Sequence, residues 1–297
     1  MRLISFPRNG LCNRLKAISS CYILSQECNR QFEIMWEPES NNICGVDIEE
    51  LFEYDAEYMP HKSVDFDSKI LNRRKRRKMR RVGDKVFVSH DFENTYTEWV
   101  ASNKDDQDVV FVCGGDAKLP AMEQEEYDYK KQTFYNNLPI KYEIMQKIND
   151  FKKNFEGKRV LGVHIRGGDT LNDDIYKWRR LGIRKYGDFL ETITHREIFE
   201  SVLRTISPSL DDHDAIYVCS DEMSIVDMFT ETFDNVFVYP KDEVDRNSSS
   251  GMEDALIDWW LLGECDHIFY TFGSTFGPEA SIRHGGDCST EFKFEGG

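Results

Sequence analysis

Apolar and polar positions along this chain follow two periods, and the switches between them predict an α/β protein. Val160, Leu161, Val163 and Ile165 form a short, nearly continuous apolar run, as in a strand buried on both faces. That run passes directly into the polar turn Arg166-Gly-Gly-Asp169. Beyond it the pattern predicts a helix over 196–206, a strand over 215–219, a helix over 223–233 and a strand over 236–239. A helix over 252–264, apolar on nearly every face, then leads into a strand over 267–271 and a last helix over 276–283. This alternation predicts a parallel sheet. The N-terminal half opens on a strand over 2–6, a turn over 7–13 and a helix with Leu15, Ile18, Cys21 and Tyr22 on one face. Strands over 32–36, 85–88 and 109–113 follow, while 116–142 is acidic, aromatic and too weakly periodic for an element to be assigned.

Parallel strands place their ligands at their carboxyl ends. His164, Arg166 and Asp169 arrive at such an end, and the Arg166 guanidinium is a planar fork suited to phosphate oxygens. The same residue types also fit a strand-end arginine paired with an acidic neighbour. A second polar turn, Phe272-Gly-Ser-Thr-Phe276, opens the last helix, and Ser274 and Thr275 are expected to cap it. The free N–H groups of a helix start make this turn a second candidate phosphate site.

A length of 297 residues suits two domains of ordinary size, with a boundary expected near 150–157. The net charge of −16 argues against general nucleic-acid binding. One local exception is the run from Arg73 to Arg81, with eight cations in nine positions. It is read either as a solvated face balanced by acidic neighbours or as a patch for an anionic acceptor or a membrane surface. Eight cysteines scattered through apolar segments suggest buried thiols in a reducing compartment rather than a disulfide framework. The chain has no apolar run of membrane-spanning length and no secretory leader before the first strand. A cytoplasmic enzyme of bacterial or viral style is therefore expected, unless the chain has been trimmed. No metal-ligand spacing, Walker loop or nucleophile elbow is present, and Asp65-Phe-Asp67 lacks the strand that would make it a metal clasp.

The order of several motifs resembles one family. His164-x-Arg166, Ser220-Asp-Glu222, Ala255-Leu-Ile-Asp258, Cys265-Asp266 and Thr271-Phe-Gly-Ser-Thr275 look like the donor-binding motifs of the α1,6-, α1,2- and protein O-fucosyltransferase superfamily. Asn9-Gly-Leu-Cys-Asn-Arg-Leu15 is similar to that superfamily's opening turn. The likeness spans residues 155–283 and a short piece at 9–24. It implies an α/β protein of GT-B fold, with two Rossmann-like lobes facing a cleft. Residues 1–153 would form the acceptor-side lobe and 154–297 the nucleotide-sugar-binding lobe. The donor would be GDP-fucose, the acceptor a glycan or glycoprotein, the transfer inverting, and no cofactor or metal would be required.

Carried over by position, Arg166 grips the diphosphate and His164 lies near the nucleotide. Asp258 receives the guanine N1–H and N2–H donors, and Ser274 and Thr275 donate to the β-phosphate. Asn13, Asp169, Ser220, Asp221 and Phe276 complete the expected donor site, and Lys241 is a further candidate donor to the diphosphate. Asp174 falls at the spacing of the α1,6 branch's catalytic carboxylate, with Asp173 beside it; both also fit an ordinary acidic loop. This chain departs from the family at Gly167, often a second arginine, and at Cys12, a glycine. The alternatives are a transferase of the same fold using another nucleotide sugar, and a non-catalytic nucleotide- or sugar-binding protein.

Overall fold

The computed structural model describes residues 1–38, 44–64, 79–82, 85–89, 107–113, 115–167, 190, 192–241, 244–286 and 288–294. Two compact units emerge, the first comprising Met1–Gln146 with Asp245–Leu256, the second Lys147–Val244 with Ile257–Gly297. Two helices run through the division.

In unit 1, β1 (Arg2–Pro7) leads into α1 (Leu11–Glu27) and then β2 (Gln31–Met35). Next come β3 (His61–Lys62), β4 (Met79–Val82), β5 (Lys85–Ser89) and β6 (Asp108–Cys113). The sheet order is β3-β2-β1-β6-β5-β4, and every pairing is parallel except β4 with β5. Of the basic run, the described part, Met79–Arg81, is edge-strand backbone in β4; Asp65 and Asp67 lie outside the described residues. Helix α1 departs from the expected single apolar face. Leu11, Cys12, Arg14, Leu15, Ala17, Ile18, Ser19, Ser20 and Cys21 are all buried, because small residues let neighbours approach from several sides.

The stretch 116–142 contains α2 (Gln124–Asn136) and the start of α3 (Tyr142–Lys152). Helix α2 buries Tyr127, Lys131, Phe134 and Tyr135. Its stripe hides a cation: Lys131 is 1% exposed, 3.3 Å from Asp116 and close to the Tyr127 and Tyr135 rings.

Unit 2 follows the expected rhythm: β7 (Val160–Ile165), α4 (His195–Leu210), β8 (Ala215–Ser220), α5 (Met223–Thr232) and β9 (Val236–Phe237). Helix α6 (Ser249–Leu262) then enters from unit 1, followed by β10 (His267–Thr271), α7 (Phe276–His284) and β11 (Ser289–Phe292). All five strands are parallel, in the order β11-β10-β7-β8-β9. Leu161, Val163 and Ile165 pack with Ile198, Val202, Val218 and Phe229 in one core. Thr194 starts α4 with a capping box, its hydroxyl accepting from the Glu197 amide.

Three carboxylates predict how stability responds to acid. Burial pushes the carboxyls of Asp108, Asp116 and Glu264 up, but nearby cations win. Arg2 acts on Asp108, Lys131 and Lys16 on Asp116, and Arg283 and Lys152 on Glu264, leaving each pKa below its ordinary value. A folded-state pKa below the unfolded one stabilises the protein above the unfolded value, and the gain disappears as pH falls through the folded value. The ordinary values are 3.8 for the aspartates and 4.5 for the glutamate. Thermal melts should therefore be flat in this contribution above about pH 5 and fall steeply below about pH 4. Asp116→Asn should flatten the acid limb, and an equally steep limb in that variant would remove Asp116 from it.

Candidate functional site

The strand order of unit 2 reverses between β7 and β10, since β7 continues through β8 to β9 while β10 continues to β11. In an open α/β sheet, that reversal opens a crevice at the carboxyl ends of the two strands. The polar turns singled out from the sequence flank it: Arg166 and Gly167 after β7, and 272–275 after β10.

Side chains at neighbouring strand ends hold the main-chain amides of the first turn. The Arg166 amide donates to Thr271 Oγ1 at 3.0 Å, fixing the backbone that launches the guanidinium. The Gly167 amide donates to Asp221 Oδ1 at 2.8 Å. A Cβ at Gly167 would lie 2.6 Å from Ile225 Cδ1, the tip of a side chain that would have to turn aside. Ser220 Oγ accepts from the Glu222 amide at 3.0 Å. Ser220 and Asp221 are thus at the expected strand end, and these contacts shape the turn.

Gly273 takes a φ of +75°, in the left-handed region that favours glycine, and its amide donates to Glu291 Oε1 at 2.9 Å. The chain then enters α7. The capping is divided differently from expectation. Ser274 Oγ accepts from the Phe276 amide at 3.2 Å, whereas Thr275 occupies the cap position with near-helical dihedrals and makes no side-chain cap. A threonine already in helical conformation has no extended backbone from which its hydroxyl can reach forward. Phe276 stacks on the His164 ring, with centroids 4.6 Å apart and planes 11° from parallel, so one aromatic pair joins the end of β7 to the start of α7.

Asp258 lies on α6 and is 4% exposed. The Tyr217 hydroxyl donates to its Oδ1 at 2.7 Å, and Lys241 forms an ion pair with its Oδ2. Burial, followed by the charge of Asp258, raises the Tyr217 pKa well above the ordinary range, so its hydroxyl remains a neutral donor. Lys241 also donates to the Ser220 carbonyl at 3.2 Å, and only 7% of its side chain is exposed. This ammonium is turned inward, to the Asp258 carboxylate and the Ser220 carbonyl.

Asn13 lies near the start of α1, in unit 1, where the strand order reverses between β1 and β6. Asn9, in the turn before it, has a φ of +71°, and its carbonyl accepts from the buried Arg14 Nε at 2.8 Å. Asp169, Asp173 and Asp174 lie outside the described residues. Sequence reasoning missed Thr271 as the brace of the Arg166 turn, although a threonine ending an apolar strand was a usable signal. It also missed the contact of His195 Nδ1 with Ser224 Oγ at 2.7 Å, for which local sequence holds no signal. Among the described residues, no helix is long and apolar enough to cross a membrane, and no group of three His, Cys, Asp or Glu side chains is placed to hold a metal ion.

Parallel α/β units of this kind, with the polar turns of the second gathered at its switch point, define a protein of the GT-B class. The family described as nodulation protein Z (NodZ) matches residues 9–282, and the chain belongs to that family, within the fucosyltransferase superfamily. Three solved structures share the fold. NodZ α1,6-fucosyltransferase soaked with GDP-fucose is 19% identical, with a TM-score of 0.53 over 95% of this chain and 91% of that one. An Arabidopsis thaliana FUT1 mutant in complex with GDP is 12% identical, with a TM-score of 0.62 over 98% and 69%. POFUT1 in complex with GDP is 13% identical, with a TM-score of 0.52 over 98% of each chain. Comparison with curated proteins by sequence gives no match.

Proposed function

We propose that this protein is an inverting, metal-independent fucosyltransferase that moves L-fucose from GDP-fucose to a hydroxyl of a glycan or glycoprotein. The observation that carries the reading is the switch point of unit 2, where the Arg166 turn and the start of α7 converge on one crevice. Family membership supports it, as does the GDP-fucose soaked into the NodZ structure. In this reading unit 2 serves the donor and unit 1 the acceptor.

The acceptor oxygen attacks the anomeric carbon, the bond from that carbon to the β-phosphate oxygen breaks, and GDP departs with the electron pair. Negative charge grows on the diphosphate, where the Arg166 guanidinium and the positive end of the α7 dipole meet it. Such preorganised donors each contribute a few kcal/mol in a dry site. Asp258 reads guanine through its N1–H and N2–H, and His164 and Phe276 contribute an aromatic wall. The acceptor proton passes to a carboxylate, for which Asp174, with Asp173 beside it, is the candidate.

A second reading, another nucleotide sugar on the same fold, draws on two observations. Gly167 stands where a second arginine is common in the family, and both oxygens of Asp258 already have partners. A thermal-shift panel of GDP, UDP, ADP and CDP separates the two. Selective binding adds about 2.7 kcal/mol of stability at a hundredfold excess over Kd, so GDP alone should raise Tm clearly. A larger shift with UDP would replace the donor, and slow GDP release from GDP-fucose without acceptor would separate a transferase from a binding protein.

A further inference from the structure

The Lys241–Asp258 pair is a buried ionic contact that the reading above leaves without a role. Lys241 follows β9, Asp258 sits on α6 and Tyr217 in β8, so three elements converge on one carboxylate. Tyr217 holds Oδ1 and Lys241 holds Oδ2, which stops the carboxylate from rotating about its terminal torsion. The same ammonium reaches the Ser220 carbonyl at 3.2 Å, on the strand end whose next residue, Asp221, holds the Gly167 amide.

We propose that Lys241 is a positioning residue for nucleobase selection, holding the Asp258 carboxylate in a fixed plane to receive two guanine donors. This rests on the reading of Asp258 as the guanine-facing carboxylate. The chemistry behind it is general. An ionised carboxylate is acceptor-only and has about four lone-pair sites, so with one taken on each oxygen it can still accept an N1–H and an N2–H side by side. A protonated carboxyl offers one donor and clashes with a guanine N–H.

The test is discrimination between GDP and IDP, which lacks the N2 amino group. Wild-type protein should prefer GDP by about 10–100-fold, the size of one lost hydrogen bond to a charged group. Lys241→Met and Lys241→Gln remove the cation, and the ratio should fall to within about threefold of unity. Affinity for inorganic pyrophosphate should stay unchanged, because the diphosphate donors lie elsewhere; a merely structural loss would lower both. If neither neutral variant folds, Lys241→Arg carries the test. Its bulkier planar head cannot occupy an ammonium site so deeply buried without moving the carboxylate, so its ratio must also fall. A folded variant that keeps the wild-type ratio overturns the proposal. Asp258→Asn separates this from failure of the underlying reading: if it too keeps the ratio, Asp258 does not face guanine, whereas if it alone collapses the ratio, only the role of Lys241 is wrong.

Discussion

Arg166→Ala is expected to cut sugar transfer by about 10³-fold, at the upper end of what removing one preorganised charge-stabilising donor costs, while the protein keeps its fold. The contact that orders the turn is made by the Arg166 amide to Thr271, and alanine retains that amide. The side chain is only half-buried, so its removal opens no cavity in the core of β7. The loss therefore falls on the leaving diphosphate. Arg166→Lys should recover less than tenfold of the activity, since an ammonium is a point charge and cannot grip two oxygens in one plane. GDP release from GDP-fucose, with circular dichroism as the control for folding, measures both variants. Turnover near wild type in either one would take Arg166 out of the mechanism.

The central strands of unit 2, β7 and β8, were legible in the sequence because they are buried along nearly their whole length and read as apolar runs. The strand expected over 267–271 and β10 coincide. Unit 1 was harder to read. Helix α2 stayed hidden because its buried stripe includes Lys131, whose partner Asp116 lies outside the helix, and a buried cation breaks the apolar period. In unit 2, strand β11 stayed hidden because Thr290 and Glu291 are exposed at a sheet edge, leaving only Phe292 to mark it. Around the candidate site, the motifs showed which residues gather at strand ends but not how they divide the work. Asp258 and Lys241 are far apart in sequence, and no local period signals an ion pair between a helix and a loop. Ser274 and Thr275 are chemically interchangeable as caps, and only the backbone entering α7 decides that Ser274 reaches forward.

Gly277→Ala should damage both stability and nucleotide binding, although no side chain that touches a ligand is removed. Gly277 is the second residue of α7 and packs flat on Tyr270 of β10. An added Cβ would lie 2.7 Å from Tyr270 Cδ1 and overlap Tyr270 Cβ and Cγ. The Tyr270 Cβ is fixed by the backbone, so no rotamer change clears it, and the helix start itself must move. Overpacking of this kind typically costs about 1–3 kcal/mol, and a contact this close belongs at or above the upper end. The displacement falls on the amides that open α7 and on Phe276, which must keep its stack on His164. GDP affinity should therefore drop at least about tenfold, since donor geometry is lost when the donors shift by a fraction of an ångström. Calorimetric Tm and GDP titration check the two halves separately. A variant with wild-type GDP affinity would show that the start of α7 does not hold the diphosphate, and a variant with wild-type Tm would show that α7 can slide on β10 without cost.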